Sequence, residues 1–168
     1  MNDISAAWEA RLSELWAAID AYEPEAFVAQ IESLVSELPP ENAVAQFERG
    51  SAQDSTGHSD LAVPRYRSAL HAGLSGLRRR RATIQLASSL RNLGDAEEAA
   101  RLLSAELLEP KDELDGAVRA FLALALVNLG REREAIALSL TALSHYLPRY
   151  KRSLARYAGD IAATSLGA

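Results

Sequence analysis

The chain of 168 residues contains no cysteine, which removes disulfides, thiolate metal sites and cysteine nucleophiles together. β-Branched and aromatic residues are sparse beside alanine and leucine, and no segment shows the period of two that a half-buried strand needs. No stretch approaches the roughly 18 uncharged apolar residues of a membrane span. The opening Met1-Asn2-Asp3-Ile4 is not a basic region leading into an apolar run. These absences predict a soluble, cytoplasmic, all-α protein whose length fits one domain. The formal charge of −5 leaves little cationic surface to displace counterions from a phosphate backbone, so nucleic acid is not the expected partner.

What is present is an internal repeat. Gln46-Phe47-Glu48-Arg49-Gly50 through Gly57, Thr83-Ile84-Gln85-Leu86-Ala87 through Gly94, and Arg119-Ala120-Phe121-Leu122-Ala123 through Gly130 align, with the last glycines 37 and 36 residues apart. Each of these glycines follows one helix-length segment and precedes another, which suits a left-handed residue just past a helix end. Seven residues before each stands Gly50, Ala87 or Ala123, and five after stands Ala62, Ala99 or Ala135, the small residues that close helix crossings require. Twelve after come Ala69, Glu106 and Ala142, so the middle repeat breaks the rule. A one-residue rotation there would put Ala105 at the crossing instead. Pro64 falls near the first turn of its helix, where a local irregularity is expected.

Ahead of the repeats, Ile4, Trp8, Leu12, Leu15, Trp16 and Ile19 form one amphipathic stripe, and Phe27, Ile31, Leu34, Val35 and Leu38 form a second, with Pro24 suited to a first helical position. After them, Tyr150, Leu154, Tyr157 and Ile161 give an apolar face opposite Lys151, Arg152 and Arg156, the pattern of a solvating cap helix. Residues Thr164 to Ala168 are expected to fray.

The spacing of small residue, glycine and alanine resembles the tetratricopeptide repeat over roughly Asn42 to Tyr146. The segments Leu86–Gly94 and Phe121–Gly130 are similar to those of a bacterial branch of that family. The resemblance implies an all-α, right-handed superhelix of antiparallel helix pairs, about nine helices in one domain. Its parts would be a degenerate hairpin at 3–38, repeats at 41–74, 76–109 and 111–147, and a capping helix at 148–163. It implies a scaffold that binds a peptide or helix on the concave face, with no enzyme activity and no cofactor. The aromatic usual near the start of the first helix is replaced by Gln46, Thr83 and Arg119. The positions of the basic clamp used by some relatives hold Phe47, Ile84 and Ala120, then Ser51, Ser88 and Leu124, so no carboxylate clamp is expected.

The residues carry no constellation for chemistry. None of His58, His71 and His145 is followed at i+4, the spacing of a helical zinc site, by a second ligand-type residue. Gly73-Leu74-Ser75-Gly76 lacks the spacing and preceding strand of a nucleophile elbow, and Ser75 suits a helix N-cap. Four successive arginines, Arg78 to Arg81, turn by roughly 100° each on a helix and cannot face one groove. They read first as a solvated helix start, with ion pairing and nucleic-acid contact as alternatives. The acidic group Glu97, Glu98, Glu106, Glu109, Asp112, Glu113 and Asp115 reads as solvent-facing, with pairing to the arginines as the alternative to a cationic partner.

If first helices line the concave face, matching positions form rows: Val44, Glu48, Ser51, Asp54 and Ser55; Arg81, Gln85, Ser88, Arg91 and Asn92; Ala117, Phe121, Leu124, Val127 and Asn128. The middle row offers donors and acceptors to a peptide backbone, and Phe121, Leu124 and Val127 offer an apolar anchor site. The competing reading makes Phe121 and Leu124 core and leaves the polar row merely wet. The partner is expected to be a protein or peptide, without a membrane. A homodimer through the Trp8/Trp16 face or the end helices is the structural alternative.

Overall fold

Local chemistry sets where the helices start and stop. In the computed structural model, which describes residues 4–165, these are α1 (Ala6–Ala17), α2 (Pro24–Val35), α3 (Ala43–Ser55), α4 (Ser59–His71), α5 (Gly76–Asn92), α6 (Ala96–Glu106), α7 (Asp115–Asn128), α8 (Glu132–Ser144) and α9 (Lys151–Ser165). A 3-10 turn, Ile19–Ala21, lies between α1 and α2, and the described residues contain no strand. Ser5, Asn42 and Asp95 cap α1, α3 and α6 by accepting from backbone N–H groups of the first turn, and Pro24 opens α2. The expected fraying falls partly on residues 166–168, outside the described residues, while Thr164 and Ser165 are in α9.

The three repeat glycines stop α3, α5 and α7 with φ of +90°, +93° and +70° at Gly57, Gly94 and Gly130. The residue after each donates its N–H back to the carbonyl five positions earlier, His58 to Gln53, Asp95 to Leu90 and Arg131 to Leu126, all at 2.9 Å. This is the Schellman closure, and only glycine adopts that backbone without a Cβ penalty. The residue that closes one helix is also the N-cap of the next.

The chain packs as two compact units, Met1–Ala82 and Thr83–Ala168, divided within α5. In the first, α1, α2 and α3 enclose Trp8, Leu12, Phe27, Ile31, Leu34 and Val35, with Ile4, Leu15, Trp16, Ile19 and Leu38 packed against them. Trp8 Nε1 donates to the Leu34 carbonyl at 3.1 Å, and Trp16 meets Phe27 edge-on with ring centroids 5.0 Å apart. Trp8 therefore belongs to the interior, and Trp16 packs half-buried against it. Paired arginine forks, Arg11 on Glu37 and Arg49 on Glu32, join α1 to the turn after α2 and α2 to α3.

Gly50 lets α3 and α4 approach, since a Cβ there would stand 2.9 Å from the Tyr66 ring. Ala62 and Ala69 are fully buried along the same helix pair. α4 runs unbroken through Pro64, in place of the expected irregularity; the carbonyl that loses its helical donor belongs to exposed Asp60 in the first turn.

In the second unit α7 packs on α6, α8 on α7 and α9 on α8. Two sequence expectations are corrected here. Glu106, not Ala105, is buried, at 4% exposure, so α6 keeps the repeat's phase and carries a carboxylate at the position elsewhere held by alanine. Tyr150, just before α9, and Tyr157 within it are exposed, with Arg156 over the Tyr157 ring, while Leu154 and Ile161 are half-buried and Ala158 is buried. The tyrosines therefore lie outside the packed edge of that helix, which runs through Leu154, Ala158 and Ile161.

Candidate functional site

The three expected rows divide between the units, and their environments differ. In the first unit Glu48 is 1% exposed and Ser51 fully buried. Trp16 Nε1 donates to Glu48 Oε2 at 2.9 Å, and Arg78 Nε faces Glu48 Oε1 at 3.4 Å, an ion-pair contact longer than a good hydrogen bond. The Arg78 fork grips Glu9 through both Nη atoms at 2.8 and 2.5 Å. Arg81 lies over the Phe47 ring, 5.2 Å from its centroid. Asp54 accepts from Ser59 Oγ at 3.3 Å and the Tyr66 hydroxyl at 3.4 Å.

The first row is therefore mostly interior. Glu48, Ser51 and Asp54 hold helices together, and Val44 joins the core. The arginine run is likewise not a solvated helix start. Arg80 is 2% exposed, and Arg78 pairs with carboxylates on α1 and α3.

Electrostatics follow from these contacts. Burial pushes the Glu48 carboxyl above the ordinary carboxylate value, outweighing the Trp16 donor and the charges of Arg78 and Arg81. The hydrogen bonds from Arg78 pull Glu9 below that value despite its partial burial. Burial, and then the charge of Asp54, raises the Tyr66 hydroxyl and keeps it neutral.

The second unit keeps its rows at the surface. Arg91 donates through Nη2 to Asn92 Oδ1 at 2.8 Å and through Nη1 to Asn128 Oδ1 at 3.4 Å, tying α5 to α7. Gln85, Ser88 and Arg91 are half-buried and Asn92 exposed on α5. On α7, Phe121 is half-buried and Leu124, Val127 and Asn128 are exposed.

Beside this row lies a hollow of about 660 Å³ between α7 and α8, lined by Ala120, Leu124, Val127, Glu132, Ile136, Ser139 and Leu140 among others. Sequence reasoning placed the α7 residues in the first-helix row and missed the α8 side. A signal was present: ten before and nine after the turn glycine, the first two repeats hold Phe47 with Tyr66 and Ile84 with Leu103, whereas the third holds Ala120 with Ser139. Among the described residues no group of three His, Asp or Glu side chains is placed to hold a metal ion, and no helix is long and apolar enough to cross a membrane.

Helix pairs closed by glycine turns, with small residues at the crossings, define a helical-repeat protein. Residues 43–161 match the family described as Tetratrico peptide repeat, and the chain belongs to that family. No curated protein and no solved structure matches the chain.

Proposed function

We propose that the chain is a non-catalytic scaffold that takes a peptide or helix of a protein partner on its first-helix face, and that the second unit carries the accessible part of that face. The observation behind this is the Arg91 fork, which bridges Asn92 and Asn128 directly beside the exposed Leu124 and Val127. A platform with amide and guanidinium groups along one helix and apolar side chains along the next satisfies a peptide backbone and anchors a side chain. In the first unit the corresponding carboxylates already serve Trp16, Arg78 and Tyr66, so the partner's contacts fall on Ser88, Arg91, Asn92, Phe121, Leu124 and Asn128.

Affinity capture from the native cell with wild-type protein and the Arg91→Glu/Asn92→Ala double variant tests this. The variant should lose at least one partner that the wild type retains, with an unchanged melting profile. An identical set of captured proteins overturns the assignment of this face.

A further inference from the structure

Each repeat presents an outer face beside its turn glycine, and a simple comparison shows which faces are covered. Six residues after the glycine stand Val63, Ala100 and Ile136, exposed by 8%, 7% and 50%. The residues nine after are buried Tyr66 and Leu103, then exposed Ser139. In the first unit the opening turns of α5 lie against α3, with Arg78 on Glu48 and Arg81 over Phe47. In the second unit α7 packs on α6. In the third repeat α9 packs on α8 as well, yet it leaves Ile136, Ser139 and Leu143 exposed. Its Ala155, Ala158 and Ala162 instead face a separate hollow shared with Leu107, Leu122 and Leu138. The α7–α8 face, with Leu124, Val127, Ile136 and Leu143 each about half exposed, is left without the helix that covers its counterparts.

We propose that this face docks a single amphipathic helix of a partner protein, basic at one end and carrying a bulky apolar side chain that fills the hollow over Ala120 and Ser139. Three observations select this occupant. The counterpart faces are each met by one helix, so the surface already has the shape that accepts one. The hollow exists because alanine and serine replace the Phe47/Tyr66 and Ile84/Leu103 pairs, so an incoming large side chain restores the missing volume. Glu132 is the one ionisable side chain lining the hollow, at the position where the earlier repeats bury Ser59 and Ala96, and it calls for a cation at that end of the helix.

Area argues against a second copy of the chain. Helices of 14 and 13 residues span about 20 Å, and two side by side offer roughly 400 Å². That is about half of what each partner buries in a standard protein interface.

This face shares Leu124 and Val127 with the Arg91 platform but rests on the α8 side, and variants on the unshared residues separate the two. The probe is a synthetic peptide of residues 75–93, the chain's own α5 sequence, which is basic toward one end and has leucine and isoleucine at helical spacing. Titrated into the fluorophore-labelled full chain, it should bind saturably, with a dissociation constant on the order of 100 µM because a free peptide must order to bind. Ile136→Glu should weaken it at least about tenfold, Glu132→Lys by a smaller factor, and Arg91→Glu not at all. If Ile136→Glu melts early, Ile136→Ser with Leu143→Gln replaces it.

No saturable binding, binding equal to that of a scrambled peptide, or binding indifferent to Ile136 overturns the proposal. Sedimentation showing a wild-type dimer that Ile136→Glu dissociates overturns it in favour of a second copy. Arg91→Glu abolishing peptide binding while Ile136→Glu leaves it intact would transfer the helix to the first-helix platform.

Discussion

The first and third repeats share the same turn and nearly the same small-residue crossing, yet they differ in the layer outside it. Around Gly57 the flanking positions hold Phe47 and Tyr66, both fully buried; around Gly130 they hold Ala120 and Ser139, both exposed. Both repeats nonetheless form helix pairs closed by the same hydrogen bond. The turn and the inner crossing are thus enough to make a hairpin, and the outer layer determines only whether that hairpin has something packed over it. The same contrast separates the acidic residues of the two units. Glu48 is sealed beneath Trp16 and Arg78, whereas Glu132 stands at the rim of an open hollow.

The largest test of this comparison is truncation of the aromatic layer. Tyr66→Ala should cost about 3–5 kcal/mol in urea unfolding, whereas Ser139→Ala at the matching position should stay within about 0.5 kcal/mol. Similar costs at both sites would mean that the outer layer is not what distinguishes the repeats. A smaller effect is expected at the crossing. A methyl group at Gly50 meets the Tyr66 ring at 2.9 Å and Arg65 Cβ at 3.1 Å, so Gly50→Ala should cost about 1–3 kcal/mol through overpacking. The third repeat has Ala123 at that position, opposite Ser139 rather than tyrosine. In a Tyr66→Ser background the Gly50→Ala cost should therefore fall toward zero, and a full cost in both backgrounds would locate the clash elsewhere.

The smallest effect is a pH dependence. Because burial raises the Glu48 pKa in the folded chain, folding is favoured while that group is protonated, and the advantage is lost as pH rises from the ordinary carboxylate value through the raised one. Glu9 works in the opposite sense. Its lowered pKa gives stability above the ordinary value that disappears as pH falls. Glu48→Gln removes only the first contribution and leaves an oxygen to accept from Trp16. Its melting temperature relative to wild type should therefore rise between pH 4 and pH 7. A flat difference across that range would show that Glu48 ionises in the fold without penalty.

The sequence made the hairpins readable because left-handed glycines and small residues at fixed offsets are local demands, visible without knowing what packs above them. The Trp8, Phe27 and Ile31 stripes were readable for the same reason, since a helix face needs only its own period. What failed to show locally was burial decided by distant elements. Glu48 looks like a surface residue until Trp16 and Arg78, 32 and 30 positions away, close over it. Glu106 looks like a break in the repeat, yet it keeps its phase and goes inside. The α9 stripe was read from its tyrosines, but the helix packs through Ala158, and its entry is set by Tyr150 at a φ of +67°, a conformation that no helical period announces. The α8 half of the open face could have been found by asking which aromatic positions of the first repeat become small in the third.

The closing hydrogen bonds at His58, Asp95 and Arg131 also constrain how this chain can change length. Within each pair the last donor of one helix and the N-cap of the next are the same amino acid, so the corner has no slack. An inserted residue would have to unseat either the back-bonded amide or the start of the following helix. Insertions should be accommodated instead in the segments between pairs, 107–114 and 145–150, where no residue is asked to serve two helices at once.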